Sequence, residues 1–262
     1  VITLRHFIGI IDRQTIIVTL LALASTWLCR RLGLAADMPT GLIGVAIVFP
    51  IVFSINAAYR RREEALRHFA SLKAHAAALY FAHRDWVPDP EDPPAAGHPE
   101  RARELIEGLL EAARAFLLAA RAEREERLDR IFGIFSSFSR SHEALRRAGV
   151  PANEISRANQ YLRAMMIDFE RMRNIRLYRT PVSLRAYSRV FLNAFPVVFG
   201  PYFAHLAGKF YPAVGYGLAA VYALVLVSLD NIQEDLENPF DAVGEDDVRL
   251  DAAGEYRRLL GD

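Results

Sequence analysis

Four stretches of this chain are apolar and free of formal charge, and between the second and third lies a long segment in which charge recurs every few residues. Thr15 to Cys29 is the first stretch. With Ile8 to Ile11 upstream, it predicts a helix that enters an apolar medium obliquely from an amphipathic start. Thr40 to Tyr59 is the second, and its length matches the ~20 helical residues that cross ~30 Å of hydrocarbon. Val190 to Gly208 and Tyr211 to Leu229 are both long enough to span, and only Lys209 and Phe210 separate them, which predicts a tight helical hairpin.

The charged segment reads differently. Residues 60 to 182 carry helical runs rich in Arg, Glu, Ala and Leu, as in Ala102 to Leu128, and predict a helical domain in water. Five prolines in Trp86 to Glu100 forbid a continuous helix and predict a loop. A second break is expected at Gly149 to Pro151, with Asn153 as the cap of a new helix. From Asp230 onward the tail holds eleven Asp and Glu against three Arg. The expected organisation is therefore all-α. Residues 1–59 hold an N-terminal segment and two membrane helices, 60–182 a helical cytoplasmic domain, 183–229 two more membrane helices, and 230–262 an acidic cytoplasmic tail.

Composition sharpens this picture. A hydrophobic fraction of 52% alongside 24% charge is high for a water-soluble globule, so the excess must be concentrated in particular segments. The net charge of +1 gives no footprint for nucleic acid. The single cysteine, Cys29, excludes an internal disulfide, and there is no zinc-type Cys/His array or Gly-rich phosphate loop. Val1 to Arg13 carries charges at Arg5, Asp12 and Arg13 and lacks the apolar run of a signal peptide. Four spans put both termini on one side. The Arg-dense middle, opening with Arg60, Arg61 and Arg62, places that side in the cytoplasm of a cell or inner membrane, although Arg30 and Arg31 in the first short loop argue the other way.

Three segments carry a family resemblance. VSLDNIQEDLENPFDAVGEDDVRLD, Val227 to Asp251, resembles the bestrophin signature after the last membrane helix, where a Glu-rich turn leads into Asn-Pro-Phe and an acidic cluster. FSINAAYRRREEA, Phe53 to Ala65, is similar to the end of the bestrophin pore helix, with Arg62 and Glu63 in place of the usual tryptophans. RTPVSLRAY, Arg179 to Tyr187, resembles the segment leading into the third span. The resemblance implies a homopentameric channel for small monovalent ions with the second helix lining the pore. It implies a hydrophobic neck at Val45, Phe49 and Phe53, and a cytoplasmic constriction near Ile155. Anions such as chloride are the first expectation, with cation (sodium) selectivity as the alternative. No enzyme chemistry is expected.

Other readings of the same residues stand beside these. Val45, Phe49 and Phe53 lie four apart on one helical stripe, which suits lipid or a neighbouring helix as well as a pore. Pro50 removes one backbone hydrogen bond from that helix, as a static kink or as an adaptable point. In calcium-gated relatives the acidic cluster forms a calcium clasp. Here Glu245, Asp246 and Asp247 follow an apparent insertion, and Arg249 brings a positive charge that opposes cation binding, so no cofactor is expected, with calcium at this cluster as the alternative to a capped, solvated tail. His68, His75 and His83 could share a helical face as ligands, proton sensors or packing residues. His205 lies within the third span. A membrane-anchored scaffold, with residues 102–147 as its partner-binding helices, is the reading from a different functional class.

Overall fold

The structure, a computed structural model, describes residues 12–87, 97–178, 182–243 and 246–261, and among them every regular element is helical. The helices are α1 (Arg13–Arg31), α2 (Thr40–Asp85), α3 (His98–Leu118), α4 (Arg124–Arg147), α5 (Ala152–Leu177), α6 (Val182–Lys209), α7 (Pro212–Glu237) and α8 (Ala253–Leu259). A single 3₁₀ turn, Arg121–Glu123, precedes α4. The chain divides into two compact units. The first comprises residues 1–61 and 179–237, and the second residues 62–178 and 238–262.

In the first unit α1 packs against α6 and α7, and α6 packs against α7. A capping box starts α1: the Thr15 amide donates to Asp12 Oδ1 at 2.8 Å and the Asp12 amide to Thr15 Oγ1 at 3.4 Å. The buried positions of α1, Thr15, Val18, Ala22 and Thr26, recur at three or four residues and form one face. Small residues allow close approach: a Cβ at Gly215 would lie 2.4 Å from the Phe203 carbonyl, and one at Gly200 would lie 3.2 Å from Cys29 Sγ. Helix α6 runs unbroken through Pro196 and Pro201, and the hairpin turn falls between Lys209 and Pro212, where the sequence places it.

The second unit is a helical bundle around Phe116, Phe135, Phe138 and Phe169, in which the rings of Phe116 and Phe135 meet that of Phe169 edge to face. The buried residues of α3, Ala102, Leu105, Ile106, Leu109, Leu110 and Ala113, follow the period of an amphipathic helix. From the tail, Phe240, Val248, Leu250, Ala252 and Leu260 join the same core.

Three local expectations change. Helix α3 begins at His98, inside the segment read as a loop, because Pro99 is tolerated in a first turn where its missing N–H has no partner to lose. The run Ala102 to Leu128 is broken at Ala119, whose backbone is extended (φ −64°, ψ 147°). Arginines take the carbonyls this break leaves open: Arg176 Nε donates to Leu117 O at 2.6 Å, Arg124 Nε to Ala119 O at 3.2 Å, and Arg127 Nη1 to Ala115 O at 3.2 Å. Asn153 does not cap α5, because it lies inside the first turn. The Pro151 carbonyl already accepts from the amides of Glu154 and Ile155 at 3.0 and 3.1 Å, and Asn153 turns its amide toward Glu154.

Candidate functional site

Helix α2 has a sharply divided first half. Ile51 (1% exposed), Ser54 and Ala58 are buried, with Val48 and Ile55 packed beside them. Val45, Phe49 and Phe53 are 61%, 59% and 57% exposed. At 100° per residue Phe49 and Phe53 point almost opposite to Ile51, so the stripe that the family resemblance implies is the face of α2 that its own unit leaves open. The two phenyl rings stack edge to face, with centroids 4.7 Å apart. Helix α2 continues through Pro50 without interruption, so the proline leaves one carbonyl of the preceding turn without its helical donor. Val45 also lines an apolar cavity of about 430 Å³ with Gly44, Phe199, Tyr202, Phe203 and Tyr222.

Ile155 sits in the first turn of α5, partly buried against a small cluster of Val87, Leu145 and Val150. His205 is partly buried within α6.

Just beyond α7, the described residues of the tail are tied together by short-range hydrogen bonds. The Val248 amide donates to the Pro239 carbonyl at 2.9 Å, the Val243 amide to Asp241 Oδ1 at 3.3 Å, and the Asn238 amide group to Asp241 Oδ2. Arg62 donates from Nε to the Asp246 carbonyl at 2.9 Å and also pairs with Glu63. Arg176 Nη1 donates to Asn238 Oδ1 at 3.1 Å. Burial first, and then the charge of Asp241, push the Asp247 carboxyl up to about 6. Glu245 lies outside the described residues. Asp241 is committed to Asn238 and Val243, the Asp246 carbonyl is held by a guanidinium, and the described carboxylates do not converge as a ligand set.

The three histidines of α2 separate into two settings. His68 Nδ1 lies 3.0 Å and His75 Nδ1 3.4 Å from the two oxygens of Asp168, a buried carboxylate on the otherwise apolar inner face of α5. His83 instead faces His98 and His142. Sequence reasoning missed Asp168 and Arg176. Asp168 left a faint signal, an acid placed among Leu162, Met165, Phe169 and Met172, whereas Arg176 has no mark to distinguish it from the other arginines of α5.

No family model and no curated protein sequence matches the chain. Solved structures do match. A variant of a bacterial bestrophin homologue from Klebsiella pneumoniae superposes with a TM-score of 0.76 at 18% identity, covering 95% of this chain and 95% of that one. Another variant of the Klebsiella pneumoniae homologue gives 0.73 at 18% identity over 94% of each chain. A structure described as a membrane protein gives 0.74 at 18% identity, covering 95% of this chain and 98% of its own. Two helical segments here, Val190–Lys209 and Pro212–Glu237, are long and apolar enough to cross a membrane. With superposition over almost the whole length of both molecules, this chain has the bestrophin fold.

Proposed function

We propose that the chain is one subunit of a membrane ion channel that passes small monovalent ions, anions such as chloride first, through a hydrophobic neck. The observation that carries this reading is the α2 stripe. Val45, Phe49 and Phe53 are turned away from the buried face of their own unit, on a helix of a bestrophin fold. In this reading α1, the first half of α2, α6 and α7 cross the lipid bilayer, and both termini and the charged helices are cytoplasmic. Five copies close a ring around α2, as repeated heterologous interfaces do when the rotation closes. The neck blocks ions by dewetting, because a narrow apolar tube holds water poorly, and the adaptable point at Pro50 lets it widen. Ile155 would form the second constriction. Phenyl edges turned inward offer positive partial charge to an anion, whereas ring faces would favour a cation.

Two features support the membrane placement. The outer faces of α1 and α7 present Ile16, Ile17, Leu20 and Leu21, and Leu218, Val221 and Val225, a surface suited to hydrocarbon. The solved structures with this fold include one described as a membrane protein.

Single-channel recording of the purified protein in a planar bilayer under a sodium chloride gradient, with particle mass measured on the same sample, tests the reading. Steps reversing near the chloride potential from a pentamer-sized particle are expected. Reversal near the sodium potential would replace the anion assignment with a cation one. A silent monomer or dimer would favour the membrane-anchored scaffold.

A further inference from the structure

His83 on α2, His98 in the first turn of α3 and His142 on α4 come together inside the second unit, all buried, with His83 only 1% exposed. The His142 and His98 rings lie 5.6 and 6.5 Å from that of His83, centroid to centroid. Three neutral imidazoles packed this way are compatible with a core, but two imidazolium ions at this spacing repel with little water to screen them.

The hydrogen bonds around His83 leave room for one more proton than a neutral ring carries. His83 Nδ1 is 2.9 Å from the Leu79 carbonyl, which can only accept, so Nδ1 holds a proton. His83 Nε2 is 2.9 Å from Ser141 Oγ, and the single Ser141 hydroxyl proton points to the Phe138 carbonyl at 2.7 Å. All three contacts can be made at once only when Nε2 is also protonated. The neutral ring instead makes Ser141 turn its proton toward Nε2. Nearby, His142 Nδ1 meets Asn159 Oδ1 of α5 at 2.8 Å, and the Nε2 atoms of His142 and His98 are buried without a partner.

Among the described residues, the surroundings supply no compensating charge to these rings. Among the described residues, the titratable groups acting on His83 are His142 and His98. The charged side chains next in sequence are spent at the surface, Arg84 on Asp85 at 2.6 Å and Glu143 on Arg146 at 2.7 Å. The three rings do not converge as a metal-ligand set. The other histidine pair of this unit is the counter-example, since a proton added at His68 or His75 faces the Asp168 carboxylate.

We propose that the His83, His98 and His142 cluster is an acid-triggered release, in which proton uptake loosens the packing of α2, the first turn of α3 and α4 while the rest of the fold holds. Burial first, and then the charges of His142 and His98, push His83 from 6.5 down to about 4, and burial lowers His142 as well. The sign follows from linkage. The unfolded ring takes its proton at 6.5 and the folded ring near 4, so the contribution to stability is intact above pH 6.5 and is lost as pH falls toward 4.

Hydrogen exchange on the full-length protein in lipid nanodiscs, normalised for intrinsic exchange, tests this between neutral pH and about pH 4.5. Peptides covering residues 79–85, 98–105 and 138–146 should lose protection by about tenfold or more, and those of α6 and α7 should keep theirs. The His83→Asn variant should flatten that response. Equal loss of protection in every helix, no loss in the three peptides, or an unchanged response in His83→Asn would each overturn the proposal. Should that variant fail to fold, histidine ring NMR on the unsubstituted protein decides alone. A ring titrating well below the ordinary histidine range, and broadened with these peptides, supports the release, and seven ordinary titrations overturn it.

Discussion

The two units of this chain turn different surfaces outward. In the first, the exposed positions of α1, α2 and α7 are mostly aliphatic or aromatic, while Thr15, Thr26, Ser54, Ser228, Asp230, Gln233 and Glu237 are inside. In the second, the core is phenylalanine and leucine, and the surface carries short-range pairs such as Arg146 with Glu143 and Arg257 with Glu107, both at 2.7 Å. Burial of apolar area holds a unit together only where the alternative is water. Where the surroundings are themselves apolar, close packing and satisfied polar groups must do that work. The second unit follows the first rule, and the first unit has the composition the second rule demands.

The sharpest test of the contrast is a large cavity in the second unit. Phe169 is fully buried between Phe116 and Phe135, with centroids at 5.6 and 6.2 Å. Phe169→Ala should cost about 3–5 kcal/mol, seen as a lowered denaturation midpoint and loss of protection in α3 and α4. A cost under about 1 kcal/mol would mean that this core is not what holds the unit together.

In the first unit, filling space should be the damaging change. A methyl group at Gly215 would meet the Phe203 carbonyl at 2.4 Å and the Ala207 backbone nitrogen at 2.7 Å, neither of which can swing aside. Gly215→Ala should therefore separate α6 from α7 and cost about 1–3 kcal/mol. Gly217, with nothing within 4 Å of a built Cβ, is the control, and its substitution by alanine should be neutral or slightly stabilising in a thermal melt. Equal effects at the two glycines would remove close packing as the organising force of this unit.

The open stripe of α2 breaks the comparison in a third way, because it should matter to conduction and little to folding. Phe49→Ala with Phe53→Ala removes an edge-to-face pair from a surface the subunit does not bury, at about 1 kcal/mol or less. Unitary conductance should rise as the neck widens. Unchanged current would place those rings against lipid or a neighbouring helix.

What could be read from the sequence follows the same division. Charge-free stretches show themselves because nothing polar interrupts them, and the hairpin at Lys209 and Phe210 was visible as a gap between two such runs. The break at Ala119 was not, since Leu-Leu-Ala-Ala is a good helix former and the carbonyls there are taken by guanidinium groups, one of them 59 residues away on α5. The candidate stripe is implied by the family resemblance, and its spacing of four says only that the three residues share one helical face. The histidines were legible as residues but not as partners, because spacing along α2 carries no information about Asp168, His98 or His142 on other helices.

The smallest expected effect lies at the tail, where charge meets the edge of the second unit. Asp247 faces Asp241 with one carboxylate oxygen, Oδ2, buried and unpartnered, and its carboxyl stands at about 6 against 3.8 in the open chain. A raised carboxyl acts opposite to His83. Above pH 3.8 the unfolded chain ionises first, so this residue's contribution falls as pH rises through 6 and stays low at neutral pH. Asp247→Asn should therefore raise the denaturation midpoint at neutral pH and leave it unchanged near pH 3. Because the group is only partly buried and water still screens it, the gain should stay below about 1 kcal/mol. The difference between the two profiles isolates this group from the histidines, which pull the other way over the same range. A variant less stable at neutral pH would show that the ionised carboxylate anchors the turn, placing charge in a supporting role that the second unit otherwise leaves to its aromatic core.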